Sequence, residues 1–304
     1  MKDSGKCAFE PVAYIPLISG KYTAKGYAAY QWVKNTDPPA WKPMIRPLAR
    51  TRLALAASGG IYAVGQTAFH YKDDTSFRAI PVDIPPADLR VTHFAFDLTE
   101  SRKDPNIVFP LAALKRLVQK GMIGALTDHA FTFMGGIYSA RKVSEELAPA
   151  LAESLLADRA EAALLVPVCP VCHQAAAIVA RHLEQKGIST LCLTSALDIT
   201  RSVNPPRIAF LDYPIGCICG KTGDPELQEA IVREALLAFD TLQTPGEVKR
   251  LPFCWSSDET WKSEPIRRQD VRKPRVAFAQ YQNEEDRKMA EKRQGLLSAA
   301  ALKS

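Results

Sequence analysis

The sequence lacks long hydrophobic runs, and no segment approaches the roughly 20 apolar residues that a membrane-spanning helix needs. Residues 1–10 carry Lys2, Asp3 and Lys6 with no apolar segment behind them, unlike a secretory signal peptide. Only 7 cysteines occur in 304 residues, far below the cysteine density of small secreted disulfide proteins. We therefore expect a cytoplasmic protein with reduced cysteines and no membrane segment.

Charge of one sign is also scarce. The net charge is +6, and the hydrophobic and charged fractions of 47% and 24% are ordinary for a globular protein. Basic residues gather between Arg267 and Arg275, but no concentrated basic face with interleaved aromatics is evident. This pattern argues against nucleic acid as a partner.

Apolar segments of strand and helix type alternate along the middle of the chain, which predicts an α/β fold with a parallel sheet. We divide the chain into an N-terminal arm (1–50), two α/β units (51–138 and 139–245) and a C-terminal extension (246–304). The arm is rich in aromatic residues and proline, so we expect it to pack on the main body or on a second subunit of a homo-oligomer. A substrate lid is the alternative. The extension is charged and suits a solvated helix.

One stretch organises the rest. Residues 162–168 form a nearly continuous apolar run, typical of a strand buried on both faces, and residues 174–185 have helical spacing of apolar side chains. Cys169 and Cys172 fall between them, where the carboxyl end of a strand meets the amino end of a helix. Ligands bind at this edge of an α/β sheet, and the unpaired N–H groups of the helix favour a thiolate. The sequence therefore predicts a reactive thiol with a second thiol in reach.

Other candidate site residues surround this unit in the sequence. His173 follows the thiols directly, and His93 and Asp97 follow a predicted strand in the first unit. The turn after the first strand lacks the third glycine of a dinucleotide-binding motif, so we interpret it as a weak carboxylate cradle. We assign these roles as follows: acid–base support to His173, His93 and Asp97; substrate binding to Ser58, Gly59, Gly60 and Tyr62.

Three readings of the thiols stay open at this point. In the first, Cys169 is a nucleophile and Cys172 resolves it as a disulfide. In the second, a zinc ion or an iron–sulfur cluster is bound by four ligands: Cys169, Cys172, Cys217 and Cys219. In the third, all four are inert buried thiols, since cysteine is among the most buried residue types.

The sequence resembles the B-component family of glycine, sarcosine, betaine and D-proline reductases from about residue 51 to residue 239. The resemblance includes the thiol unit and further short motifs in matching order. These motifs are residues 57–62 (ASGGIY), 77–81 (FRAIP), 89–93 (LRVTH), 96–97 (FD), 106–110 (NIVFP), 121–124 (GMIG), 133–135 (FMG) and 214–216 (PIG).

The resemblance implies a function. In that family a selenocysteine, sometimes a cysteine, occupies the position matched by Cys169, and a cysteine stands at the position matched by Cys172. Cys169 would attack the carbon next to a carboxylate and displace an amine, with a pyruvoyl group on a partner subunit activating that amine. We therefore predict a thiol-dependent reductase that cleaves a C–N or C–S bond in a small carboxylate, together with a partner subunit or a thiol electron donor. A reductase or desulfurase of a sulfur compound, and a non-catalytic metal subunit, are the alternatives.

Overall fold

The computed structural model describes residues 10–266 and 274–301, with side chains described as far as residue 296. Residues 267–273, which hold most of the basic run noted above, lie outside this description. Within the described ranges, no helix combines the length and the apolar composition needed to cross a membrane.

Strand β1 (Arg52–Ala57) lies inside the main sheet, and this central position explains why its side chains are buried. Leu53 and Leu55 enter the core on one face of the sheet, while Ala54 and Ala56 enter the core on the other. Successive side chains of a strand point to opposite faces, so a continuous apolar run requires helices on both sides. The small residues on the second face leave room for close helix packing.

The described strands form one large sheet and one small one. The large sheet has eight strands in the order β10-β9-β8-β7-β1-β6-β3, with β5 also paired to β1, and all of them are parallel except β3. Strands β2 and β4 form the small antiparallel sheet. The remaining strands are β2 (Ile61–Ala63), β3 (Phe77–Pro81), β4 (Leu89–Val91), β5 (Ala125–Leu126), β6 (His129–Phe133), β7 (Ala162–Val166), β8 (Ser189–Thr194), β9 (Arg207–Phe210) and β10 (Glu247–Arg250).

Helices cover both faces of the large sheet. They are α1 (Tyr14–Thr23), α2 (Thr99–Lys103), α3 (Leu111–Gln119), α4 (Ala140–Lys142), α5 (Ala148–Ala157), α6 (Pro170–Gln185), α7 (Leu197–Val203), α8 (Pro225–Leu236), α9 (Ala238–Thr241) and α10 (Glu284–Ala301), with a π-helical turn at Val143–Leu147. Apolar residues of α3 and α8 join the core on one face, and those of α5 and α6 join the core on the other. The predicted α/β class with a mostly parallel sheet is confirmed.

The strand order changes direction at β1. The chain runs from β1 to β6 on one side, then crosses to β7 on the other side of β1. Such a switch leaves a crevice outside the carboxyl ends of the two central strands. The turns after β1 and β7 carry Ser58 and Cys169, so the fold brings the predicted turns together. The two predicted units thus share one sheet, joined by β1–β7 pairing from Leu53↔Ala162 to Ala57↔Val166.

The start of α6 and the presence of strand β10 differ from the expectation. Helix α6 begins at Pro170, four residues before the start at residue 174 that apolar spacing suggested. Proline fits the first helical position because its missing N–H would be unpaired there, and this places Cys172 inside the first turn. Strand β10 was not predicted, because its alternation of charged and half-buried residues at the sheet edge carries little hydrophobic signal.

The N-terminal arm packs on the main body through a buried ion pair. Arg207 and Glu184 side chains are 1% and 0% exposed, and Arg207 Nη1 lies 2.7 Å from Glu184 Oε1. Arg207 Nη2 also donates to the Lys42 carbonyl oxygen at 2.7 Å, and its guanidinium stacks on Trp41 at 3.6 Å from the ring centroid. Glu184 accepts a hydrogen bond from the Lys42 N–H. Because both charges contact the arm, they fix it against α6 and β9.

The C-terminal helix also packs on the body. Asp286 in α10 is 2% exposed and its Oδ2 lies 3.0 Å from Arg90 Nε in β4. The expected helix with opposite charges is present, with Arg287 paired to Glu284 and Glu291 on its exposed side. This helix therefore belongs to the small-sheet side of the protein.

The buried ion pair yields a stability prediction. Arg207→Met leaves the Glu184 carboxylate buried without its partner, which should lower the free energy of unfolding by about 3–5 kcal/mol. The matched control is Arg141→Met, which breaks an exposed pair with Glu145 and should cost less than about 1 kcal/mol. Urea unfolding of both variants measures the difference. Equal losses in the two variants would contradict the role of Arg207.

Candidate active site

Cys169 caps the amino end of α6. Its backbone is extended, and its Sγ accepts a hydrogen bond from the Cys172 N–H at 3.1 Å. A side chain that caps a helix satisfies one of the unpaired N–H groups there, and the helix dipole favours negative charge at the same place. The structure therefore places Cys169 at the amino end of a helix, as the sequence predicts. A direct N–H donor favours its thiolate form.

Cys172 lies behind Cys169, in the first turn of α6. Its Sγ is 3.6 Å from His93 Nε2 and 3.7 Å from the Met134 carbonyl oxygen. Burial acts to raise the pKa of Cys172, but hydrogen bonding with Cys169, the attraction of His93 and hydrogen bonds from His93 and Ser58 together hold the pKa well below its usual value. The two sulfurs therefore form a coupled pair in which an anion is stabilised.

His93 has a defined tautomer. Its Nδ1 accepts a hydrogen bond from the Ala95 N–H at 2.9 Å, so the ring proton lies on Nε2, the nitrogen that faces Cys172. The imidazole stacks on Phe94, with 5.1 Å between centroids and 5° between planes. These contacts orient the imidazole so that its Nε2 faces the Cys172 sulfur. The sequence placed His93 near a site, and the structure places it against Cys172.

The donor set does not fit a bound metal. Within the described residues, the one group of three or more candidate ligands is His93, Cys169 and Cys172, whose ligand atoms lie within 4.8 Å of one another. A metal at His93 Nε2 would need that nitrogen deprotonated while Nδ1 still accepts from a backbone N–H, whereas ligating histidines normally donate through the other nitrogen. The paired-thiol arrangement, with one N–H donor per sulfur, suits thiol chemistry better.

The four-cysteine alternative is not assembled in the described residues, because Cys217 and Cys219 do not join that ligand group. Burial raises the pKa of Cys219 well above its usual value, which keeps it a thiol. Cys217 and Cys219 lie in a turn whose backbone bonds to Pro214 and Ile107. Cys254, by contrast, is disulfide-bonded.

His173 has a positioning role and does not face the sulfurs. Its Nε2 accepts from the Ser195 N–H at 3.2 Å, so its Nδ1 donates to the Cys169 carbonyl oxygen at 2.7 Å. Burial lowers the pKa of His173 to about 4. Both nitrogens of this fully buried imidazole are bonded to backbone groups, so the arrangement favours a positioning role over the predicted acid–base role. It ties the Cys169 backbone to the loop after β8.

The turn after β1 supports the thiols and offers no free carboxylate cradle. Ser58 Oγ accepts from the Val168 N–H at 3.0 Å, which leaves its own proton free for Cys172. The N–H groups of Gly59 and Gly60 donate to Met134 and Phe133 carbonyls. A Cβ on Gly60, at φ +67°, would lie 1.8 Å from the Thr92 carbonyl oxygen. The glycines therefore allow two segments of the chain to approach closely, and their substrate-binding role remains a prediction.

Tyr62 and Asp97 are hydrogen-bonded to structural partners. The Tyr62 hydroxyl accepts from the Gln282 N–H at 2.7 Å and lies 3.4 Å from Asp286, so it anchors the C-terminal segment. Asp97 Oδ1 accepts from the Thr99 N–H and hydroxyl at 2.9 and 2.7 Å. Asp97 thus stabilises the start of α2, the ordinary structural role of such a residue.

A cavity of about 570 Å³ gives Cys169 a route to small molecules. Cys169 is fully buried and belongs to the wall of this cavity, together with Tyr22, Tyr30 and Trp32 of the arm. In the described part of the chain, Cys172 and His93 are not lining residues, so of the two cysteines Cys169 is the one at the cavity wall.

Sequence reasoning missed several residues around the cavity. Tyr138 lines it, with its backbone N–H bonded to Asp73 Oδ1 at 2.6 Å. The Tyr30 hydroxyl donates to the Tyr138 carbonyl oxygen at 3.0 Å. A Cβ on Gly135, at φ +72°, would lie 2.9 Å from Cys172 Sγ, so only glycine lets this turn approach the sulfur. The crowding of aromatics in the arm was a signal, but it did not say which surface they cover.

Fold and site define a parallel α/β protein with a buried two-cysteine site at the strand-order switch. A family model described as glycine/sarcosine/betaine reductase selenoprotein B matches residues 17–168, half of the chain. The chain belongs to this family. The matched region ends one residue before Cys169, so it includes residues 17–50 of the arm, the turn after β1 and His93 but not the thiols.

Individual relatives agree. The D-proline reductase subunit gamma of Acetoanaerobium sticklandii is 32% identical over 236 residues, which cover 78% of this chain and 98% of the relative. The sarcosine reductase complex component B subunit beta of Peptoclostridium acidaminophilum is 24% identical over 67% of this chain and 48% of the relative. The glycine reductase complex component B subunit gamma of Symbiobacterium thermophilum is 25% identical over 76% and 55%. The chain thus spans about half of the last two, and no solved structure matches it significantly.

The His93 geometry predicts a titration shift. His93→Phe keeps an aromatic ring against Phe94 but removes the Nε2–H, so the pKa of Cys172 should rise toward its usual value and its thiolate should form only at higher pH. The ultraviolet absorbance of thiolate, measured across pH and referenced to Cys172→Ser, reports this change. Cys192→Ala is the control, because burial keeps the pKa of that thiol raised. A Cys172 titration that His93→Phe leaves unchanged would refute the assignment.

Proposed function

We propose that this chain is the thiol-bearing subunit of a reductase that cleaves a C–N or C–S bond in a small carboxylate-bearing substrate. The observation that carries the proposal is the arrangement of the two sulfurs. Cys169 caps α6 and lines the cavity, while Cys172 lies within 4.8 Å behind it and is bonded to His93. Membership in a reductase family supports the same reaction class.

The first step is attack by the Cys169 thiolate on the carbon next to the carboxylate. A C–S bond forms, the C–N bond breaks, and the amine leaves with the electron pair and takes up a proton. An unactivated amine is a poor leaving group, so the proposal includes a partner subunit that activates it. The relatives are named as subunits or components of complexes, which favours such a partner. A pyruvoyl group on that partner would supply a carbonyl to bind the amine.

The second step uses the other sulfur. The Cys172 thiolate attacks Cys169 Sγ, an S–S bond forms, and the C–S bond breaks. The carbon leaves with the electron pair and takes up a proton, so the substrate gains two electrons and the thiol pair becomes a disulfide. The Nε2–H of His93 favours the anionic form of Cys172 for this attack. A dithiol electron donor then reduces the disulfide and restores the site.

The test uses the full chain, tagged and purified anaerobically with the partners that it retains. Glycine, sarcosine, betaine and D-proline are each supplied with a dithiol, and the reduced product and dithiol consumption are measured. Cys169→Ser should abolish product with every substrate that the wild type reduces. Cys172→Ser should stop after the first step, with a substrate-derived thioether on Cys169 that mass spectrometry of the peptide detects.

The matched control is Cys192→Ser, a buried thiol in β8 that has no role in the proposal. It should keep wild-type turnover. Full activity in Cys169→Ser, or an adduct that maps to a different cysteine, would overturn the assignment of the nucleophile.

A further inference from the structure

One polar group on the cavity wall has no partner. The indole Nε1–H of Trp32 is buried, and within the described part of the chain it makes no hydrogen bond. Trp32 lines the same cavity as Cys169. A buried donor without an acceptor is costly, and such groups are rare in folded proteins unless a ligand or water satisfies them. The indole therefore lacks a hydrogen-bond acceptor, which a ligand in the cavity that Trp32 lines would supply.

The position of Trp32 is fixed relative to the thiols. The Val33 N–H donates to Gln174 Oε1 at 2.8 Å, and Gln174 Nε2 donates to the Tyr30 hydroxyl at 2.8 Å. Gln174 lies in the first two turns of α6, the helix that carries both cysteines. The Tyr30 ring packs edge-on against Trp32 with 4.6 Å between centroids. The residues on both sides of the indole are thus tied to the helix that Cys169 caps.

Charge on the cavity wall favours an anion. Lys21 and Lys25 line the cavity, and Glu264 is the one carboxylate among the described lining residues. Neither lysine has an ion-pair partner within the described ranges. An anion that enters the cavity therefore meets two cations, one carboxylate and an unused N–H donor. Charge-assisted hydrogen bonds are about twice as strong as neutral ones, so this combination selects an acceptor with negative charge.

We propose that Trp32, with Lys21 and Lys25, forms a carboxylate-binding subsite that directs the substrate's neighbouring carbon toward Cys169 Sγ. The proposal rests on the function proposed above, because it assigns a role within the same cavity. It gives the N-terminal arm a direct part in substrate binding, beyond the packing that its aromatic residues provide. Holding the carboxylate fixes which carbon faces the sulfur, and such orientation lowers the barrier to attack.

Two alkylating reagents test the subsite without a partner subunit or a reductant. Iodoacetate and iodoacetamide present the same carbon to a thiolate; a C–S bond forms and iodide leaves with the electron pair. They differ in that the first carries a carboxylate and the second a neutral amide. The measured quantity is the ratio of the two alkylation rates at Cys169, located by peptide fragmentation and divided by the same ratio for free cysteine.

The wild-type ratio should exceed that of free cysteine by about tenfold, as expected for a hydrogen bond to a charged group. Trp32→Phe, which keeps an aromatic ring and removes the N–H, should lose most of this preference. Lys21→Met with Lys25→Met should lower it as well. Glu264→Gln removes the carboxylate that repels an anion and should raise the ratio of iodoacetate to iodoacetamide rates. General loosening of the arm would not raise this ratio.

The matched control is Lys34→Met, an exposed lysine of the same arm that is not a lining residue; it should leave the ratio unchanged. If Cys169 reacts readily with both reagents at the ratio of free cysteine, and Trp32→Phe changes nothing, the subsite is refuted and the nucleophile stands. That result would mean that water alone satisfies the indole. If neither reagent modifies Cys169 in the folded protein, the proposed function itself is overturned.

Discussion

The hydrogen bond from the Cys172 N–H to Cys169 Sγ is the interaction on which the rest of the site depends. It exists because Pro170 starts α6 immediately after the Cys169 residue that caps it. The buried strand β7 ends where the carboxyl ends of the parallel strands lie, and α6 begins there and carries the chain back across the sheet. The unpaired N–H groups at that edge make it the place in the fold where a sulfur anion is most easily held.

The second sulfur is stabilised differently. Cys172 is fully buried, so an anion there needs donors, and His93 and Ser58 provide them; the Cys169 side chain adds a donor only in its thiol form. Each donor is held in turn: His93 by the Ala95 N–H and Phe94, and Ser58 by the Val168 N–H. The glycines at the neighbouring turns let the backbone come close enough for these contacts. The site is therefore built by three loops that converge where the strand order changes.

Much of this architecture follows from the sequence. The apolar run at residues 162–168, followed by helical spacing, places Cys169 and Cys172 at the sheet edge. The details that decide chemistry do not follow, because they depend on contacts between residues far apart in the chain. Nothing local distinguishes His93, which meets Cys172, from His173, whose two nitrogens are bonded to backbone. Likewise, a Gly-Gly turn that binds a ligand has the same sequence pattern as a Gly-Gly turn that packs against another segment of the chain. The arm's partner surface is set by Gln174, Glu184 and Arg207, which no local pattern reveals.

The most direct measurement of the central claim is the rate at which a small neutral electrophile modifies Cys169 in the folded protein at mildly acidic pH. A sulfur held as an anion by the end of α6, and open to the cavity, should react much faster there than free cysteine, which is almost entirely protonated. The same protein in denaturant should react no faster than free cysteine. A Cys169 that stays unmodified while folded, or reacts only as free cysteine does, would contradict the account.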